Sequence, residues 1–325
     1  MTDLTQAQFV HQILLNGDHT DEVLDGAEDI DIGKTQTVWL HIDLSEPEAL
    51  AWLESEAGLE IAAVNALTAE ENRPRSFKGK HGLMLVLRGV NLNPGHDPED
   101  MVSIRVWIES NRIISVRRRP LVSINDIVED LENGDGPRTS GEFLTELVDK
   151  LANRIGEFVS TIDDELSNAE EHLEEMAPAE LRSTLGSLRR QIATVRRYLA
   201  PQRDALDRLN HLDTQLLSER DRMRLREESD RVSRYLEDLD LARERAVVLQ
   251  EAFLSQIAQQ QNSRMYVLSI VTAVFLPLGF ITGLLGINVG GMPGADNPLA
   301  FWIVLGMLGA LAVAIVLAFR RMRWM

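Results

Sequence analysis

Cysteine is absent from the 325 residues. That removes disulfides, thiolate metal ligands and cysteine nucleophiles together, and suits a chain facing a reducing compartment. Basic charge is in short supply: 33 Lys and Arg stand against 51 Asp and Glu, a formal net charge of -18. A polyanion needs a basic face, so the balance speaks against nucleic acid as a partner. Catalytic signatures are missing too. There is no glycine-rich phosphate loop, nucleophile elbow or zinc-protease helix, and the chain reads as a non-enzyme. The seven histidines, His11, His19, His41, His81, His96, His172 and His211, show no metal-ligand spacing and read as surface or packing residues.

Charge of either sign is also absent from two long stretches, Met265 to Ala295 and Asn297 to Phe319. Within them Met265 to Gly286 and Leu299 to Phe319 are each long enough, at ~1.5 Å per residue, to span the roughly 30 Å hydrocarbon core of a bilayer. A soluble helix of either length would carry a polar face. Arg264 precedes the first span and Arg320, Arg321 and Arg323 follow the second, so the positive-inside rule places both ends in the cytoplasm. Between the spans, Gly290, Gly291, Pro293, Gly294 and Pro298 break any helix and predict a tight external turn. The acids concentrate before the membrane. Of the 51, only Asp296 lies beyond residue 264, and of the 33 bases only the three tail arginines do, leaving 50 against 30, a net of -20. Such a body either gathers cations or simply keeps the chain soluble, and net charge alone leaves both readings open.

Residues 1–134 read as mixed α and β. Val38, Leu40, Ile42 and Leu44 alternate as in a half-buried strand whose other face carries Trp39, His41 and Asp43. Leu83 to Val90 predicts a second strand, and Val102 to Ile108 leads through Ser110 and Asn111 into Ile113 to Arg117 as a hairpin. Helices are predicted over Glu48 to Glu56, after Pro47, and over Leu121 to Leu131, ended by Asn133 and Gly134. From Ser140 to Gln261 a 3.6-residue period takes over and predicts about three long helices, one starting at Pro178, with an interruption at Pro201 and Asn210. The last starts near Asp213 and runs without a stop signal into the membrane. The organisation is therefore an α+β cytoplasmic domain (1–134), a long-helix module with a stalk helix (135–264), the first transmembrane helix (265–286), an external loop (287–298), the second transmembrane helix (299–319) and a basic tail (320–325). Two spans cannot by themselves shield a water-filled path from lipid, so a transport role requires several copies around an axis.

Small or polar residues recur in the first span at Thr272, Gly279, Gly283 and Gly286, and Asn262 and Met265 extend that face inward. They read either as the wall of an axial pore or as a close-packing seam. Leu268 and Leu276 fall near the same face, as hydrophobic constrictions or as ordinary packing.

Directly after this helix comes Gly286-Ile287-Asn288, which resembles the Gly-Met-Asn motif of the CorA-type divalent-cation transporters. The two C-terminal spans, the short outer loop, the charged tail and the acidic domain feeding one long helix agree with that family. Ile287 in place of methionine, the following Val289 to Gly294, and the stretches Trp39 to Leu44, Glu71 to Arg75 and Arg117 to Pro120 resemble its zinc-transporter branch, called ZntB. The resemblance covers nearly the whole chain. It implies a funnel-shaped homopentamer in the bacterial cytoplasmic membrane, with the first span lining the pore through Asn262, Met265, Thr272, Leu276, Gly279 and Gly283. It also implies a ring of Asn288 at the outer mouth. Amide oxygens there can accept hydrogen bonds from the water shell of an entering cation, at lower cost than stripping it. Gly286 is expected to let the backbone turn sharply.

Zinc prefers imidazole and thiolate, yet there is no cysteine and no histidine in or near either span. The residues suit any hydrated divalent ion, magnesium, cobalt or nickel included, and zinc as the transported substrate is implied by resemblance alone; no cofactor is expected. Asp163, Asp164, Glu170, Glu171 and Glu174 could hold cations or form a solvated helix face. The zinc branch is associated with proton coupling, but neither span contains Asp, Glu, His, Lys or Arg, so a carrier would sit elsewhere, with Asp296 and the cytoplasmic acids available. The rival readings are a membrane-anchored enzyme, which no motif supports, and a membrane signalling or scaffold protein, which the long helix permits and the short outer loop disfavours.

Overall fold

The computed structural model describes residues 9–15, 37–70, 73–173, 175–287 and 297–321. The chain divides into two compact units, residues 1–250 and 251–325.

The first unit is built on a six-stranded sheet: β1 (His11–Leu15), β2 (Thr37–Asp43), β3 (Arg75–Lys78), β4 (Leu83–Gly89), β5 (Val102–Ile108) and β6 (Arg112–Arg117), in the order β1-β2-β6-β5-β4-β3. Only β2 and β6 pair in parallel, aligning Trp39 with Ile113 and His41 with Ser115; every other pairing is antiparallel. The predicted hairpin is β5–β6, closed by Glu109 N–H donating to the Arg112 carbonyl at 2.8 Å.

Both sheet faces are covered. One, with Trp39, Leu85, Val106 and Ile113, packs on α3 (Val122–Glu132) and α4 (Ser140–Glu171) through Ile124, Ile127, Phe143 and Leu147. The other, with Leu40, Ile42, Met84 and Trp107, packs on α1 (Pro47–Ser55) and α2 (Ile61–Thr68) through Trp52, Leu53 and Leu67. This corrects the reading of β2 as half-buried. Trp39 and His41 are both 0% exposed, because alternation of residue type marks a strand's two faces but not whether each is covered.

The β3–β4 turn fits tightly against this sheet. A Cβ on Gly82 would stand 2.6 Å from the Ile108 carbonyl oxygen and 2.8 Å from the Trp107 ring. Neither a strand backbone nor a buried indole can yield cheaply. Gly82→Ala is therefore expected to destabilise the unit by about 1–3 kcal/mol, checked by thermal unfolding monitored through tryptophan fluorescence.

Three long helices complete the unit. Thr139 caps α4, accepting from Glu142 N–H at 3.2 Å. The next helix, α5 (Pro178–His211), continues through Pro201, where the sequence predicted an interruption. Buried positions recur at alternating spacings of four and three, Leu181, Leu185, Leu188, Ile192, Val195, Leu199, Gln202, Leu206 and Leu209. That stripe passes the proline unbroken, and its burial outweighs the lost backbone hydrogen bond. The last helix, α6 (Glu219–Leu285), begins later than the predicted Asp213, behind a reciprocal cap. Asp221 N–H donates to Ser218 Oγ at 3.2 Å, and Ser218 N–H to Asp221 Oδ2 at 2.8 Å. Contacts of Asp149 and Asp163 on α4 with Arg231 and Arg245 on α6 advance in the same direction, so these helices run parallel. Arg189–Gln250 and Asp207–Ser229 show α5 antiparallel to α6.

The second unit contains the remainder of α6 and α7 (Ala300–Arg321). Both helices are long and apolar enough to cross a membrane, and none of their apolar windows is buried.

Candidate transport site

The candidate path is carried by the C-terminal part of α6, which remains helical to Leu285 and turns at Gly286 and Ile287. At about 100° per residue, Asn262, Met265, Thr272, Leu276, Gly279 and Gly283 fall within an arc of roughly 100° on this helix, and Gly286 and Leu268 lie just beyond its edge. Pro277 falls about 110° from the centre of that arc, so its ring faces away from the proposed line.

Burial does not single this face out. Met265 is 68% exposed and Leu276 69%, but Val267 on the opposite face is exposed as well, at 57%. The glycines are more informative. A Cβ on Gly279 or Gly283 would meet nothing within 4 Å, so these small residues do not form a packing seam with α7 of their own chain.

The hydroxyls on the line are already tied as donors. Thr272 Oγ1 donates to the Leu268 carbonyl at 2.8 Å and Ser269 Oγ to the Met265 carbonyl at 2.8 Å. Each oxygen keeps acceptor capacity, the polarity that the waters around a cation require. Ser269 belongs to the same arc, seven residues after Asn262, and the sequence reading missed it although that spacing was in view.

Gly286 sits at the helix end, its N–H shared between the carbonyls of Thr282 at 2.9 Å and Gly283 at 3.2 Å. Its φ is not positive; the left-handed glycines among the described residues are Gly58, Gly95 and Gly134. The helix ends in a turn at Gly286 without left-handed geometry, and a Cβ there would lie 3.1 Å from the Thr282 carbonyl oxygen. Asn288, the third residue of the motif, lies outside the described residues, as does Glu174.

The cytoplasmic acids are placed differently from one another. Asp163 and Glu170 both hold Arg245, at 2.5 and 2.8 Å, and the Glu170 carboxylate leads the contacts that raise the Arg245 guanidinium. Asp164 and Glu171 are exposed on α4. No group of three or more His, Asp or Glu that could hold a metal ion occurs among the described residues.

The family model described as "CorA-like Mg2+ transporter protein" matches residues 34–321. The chain belongs to this family. The divalent cation transporter CmaX of Pseudomonas aeruginosa is 45% identical over 299 residues, 91% of this chain and 90% of that protein. The zinc transport protein ZntB of Yersinia enterocolitica is 37% identical over 291 residues, 89% and 88% of the two chains. These relatives place the chain in the ZntB-like branch of the CorA family. The structure of full-length CmaX superposes with a TM-score of 0.85 at 43% identity, covering 98% of both chains. The CorA magnesium transporter of Methanocaldococcus jannaschii shares the fold with a TM-score of 0.83 at 19% identity, over 97% of this chain and 99% of the other. In this CorA-like chain, a mixed α/β soluble unit, one long helix and a C-terminal helix follow the architecture of those structures, and the two membrane-spanning candidates are its C-terminal helices.

Proposed function

We propose that this protein transports divalent metal cations, zinc foremost, through an axial pore formed by five copies of the chain in the bacterial cytoplasmic membrane, with both termini in the cytoplasm. The observation that carries the reading is the unpartnered line on α6. Small and acceptor-bearing residues lie on one arc of the charge-free C-terminal part of α6, where Gly279 and Gly283 have open space beside them, and the arc leads to Gly286 and the motif it begins. Membership of a transporter family supports the same assignment. Zinc is favoured by the ZntB relatives, whereas CmaX is named only for divalent cations.

The absence of imidazole, thiolate and carboxylate from the line suits passage of a hydrated ion. Asn288 is assigned to the outer mouth as a ring that binds through the ion's water, and Asn262 to the cytoplasmic end. The test is uptake by the purified protein in proteoliposomes, comparing zinc, magnesium, cobalt and nickel with and without a pH gradient. Zinc flux above the others is expected, and the gradient reports on proton coupling. Strong magnesium flux with no zinc flux would move the protein to a magnesium role; no flux of any divalent ion would sink the pore.

A further inference from the structure

The α4–α6 contact contains a carboxylate for which the structure provides too few hydrogens. Arg231 Nη1 donates to Asp149 Oδ1 at 3.0 Å and to Asn153 Oδ1 at 3.1 Å. A guanidinium terminal nitrogen carries two hydrogens, and both are thereby committed to α4. Glu228 Oε2 also lies 3.0 Å from that nitrogen, but no hydrogen is directed at it. The Glu228 side chain is only 11% exposed, so water does not readily supply the missing donor.

The surroundings offer little relief. The ionisable groups acting on Glu228 are Asp149 from α4 and Glu227, Arg231 and Arg234 from its own helix, with Tyr235 sharing the same neighbourhood. Asp149 and Glu228 thus place two negative charges about one guanidinium. Two turns further along the contact, Tyr235 stands over Gly156 so closely that a Cβ on Gly156 would lie 2.4 Å from the tyrosine hydroxyl, so the two helices approach closely there.

We propose that Glu228 is a proton-binding site of the soluble unit, and that loading or releasing its proton tightens or loosens the α4–α6 contact. Protonation leaves Arg231 facing a single carboxylate, Asp149, and gives the orphaned oxygen a hydrogen of its own. Loss of the proton leaves a buried charge that is relieved by opening the contact to water. Burial, reinforced by Asp149 and Glu227 and opposed by Arg231 and Arg234, raises the Glu228 carboxyl to about 7, which places the exchange in the physiological range. The site lies within residues 1–250, and the proposal does not depend on which ion the protein moves.

The test uses the full-length protein in lipid nanodiscs, stepped from about pH 5 to about pH 9 to bracket ordinary and raised carboxyl titrations. The infrared difference between wild type and Glu228→Gln is expected to contain one protonated-carboxyl band that titrates near neutrality. Asp149→Asn removes the competing charge and is expected to lower the proton affinity of Glu228 roughly tenfold or more. Amide exchange, corrected for its intrinsic pH dependence, is expected to quicken over Val148–Glu157 and Glu227–Leu236 as the band is lost, and to lose that pH dependence in Glu228→Gln. A Glu228 band confined to the ordinary carboxylate range, a midpoint untouched by Asp149→Asn, or exchange that ignores the titration would each overturn the proposal.

Discussion

Replacing Asn288 by alanine is expected to abolish divalent-cation flux while leaving assembly in the membrane intact. The expectation follows from the economics of dehydration. A divalent ion gives up its water shell reluctantly, and a ring of amide oxygens engages that shell without displacing it. Alanine offers no acceptor, so an entering ion would meet only the apolar residues at the helix end, Ile287 among them. Aspartate is a sharper control than a second neutral residue. A carboxylate ring would hold the ion more firmly and release it slowly, so Asn288→Asp should bind tightly and conduct poorly. Uptake of the chosen cation in proteoliposomes, set beside the size of the detergent-solubilised assembly, checks both variants. Unchanged flux in Asn288→Ala would remove the motif from the conduction path, and lost assembly would make its role structural.

The parts legible in the sequence were those governed by local rules. Two charge-free runs gave two membrane-length helices, one within α6 and one as α7, because backbone satisfaction in lipid leaves few alternatives. The β5–β6 hairpin and the end of α3 at Asn133 and Gly134, where φ is +79°, follow equally local chemistry. What escaped depended on tertiary partners. The short strands β1 and β3 have little period of their own and exist by pairing with β2 and β4. Pro201 looked like a helix break, but nine positions of continuous burial carry α5 past it. Among site residues, Asp163 and Glu170 looked like free carboxylates, and only the fold brings Arg245 from 75 or more positions away to both of them. Glu228 gave no sequence signal at all. Its position is defined by how the hydrogens of Arg231 are shared across two helices.

A second large effect is expected at acid pH, from His41. Its Nδ1 meets Ser115 Oγ at 2.7 Å, the same oxygen accepts the Trp39 indole N–H at 2.8 Å, and the His11 ring stacks 5.8 Å away. Nε2 is buried with no partner among the described residues. Burial first, then the charges of Arg117 and His11, push the imidazole down to about 3, against a weaker upward pull from Asp43. The unfolded chain titrates at the ordinary histidine value near 6.5. Below that pH the unfolded state therefore takes up a proton that the folded state refuses. Stability contributed by neutral His41 is fully present above about 6.5 and is lost progressively as pH falls toward 3, by about 1.4 kcal/mol per unit, or roughly 2.5–3 kcal/mol by pH 4.5. Glu228 acts with the opposite sign, since its raised carboxyl favours the folded state at low pH and loses that advantage as pH rises from about 4.5 toward 7. The two overlap between those limits, so a global melting curve would mix them. Amide exchange of Val38–Ile42 reads the His41 strand locally. Corrected for its intrinsic pH dependence, it should accelerate steeply on acidification in the wild type and much less in His41→Leu, where no imidazole remains to charge. Equal acidification profiles in the two proteins would mean that the His41 pocket admits the proton, and that its burial in the sheet is not what keeps the ring neutral.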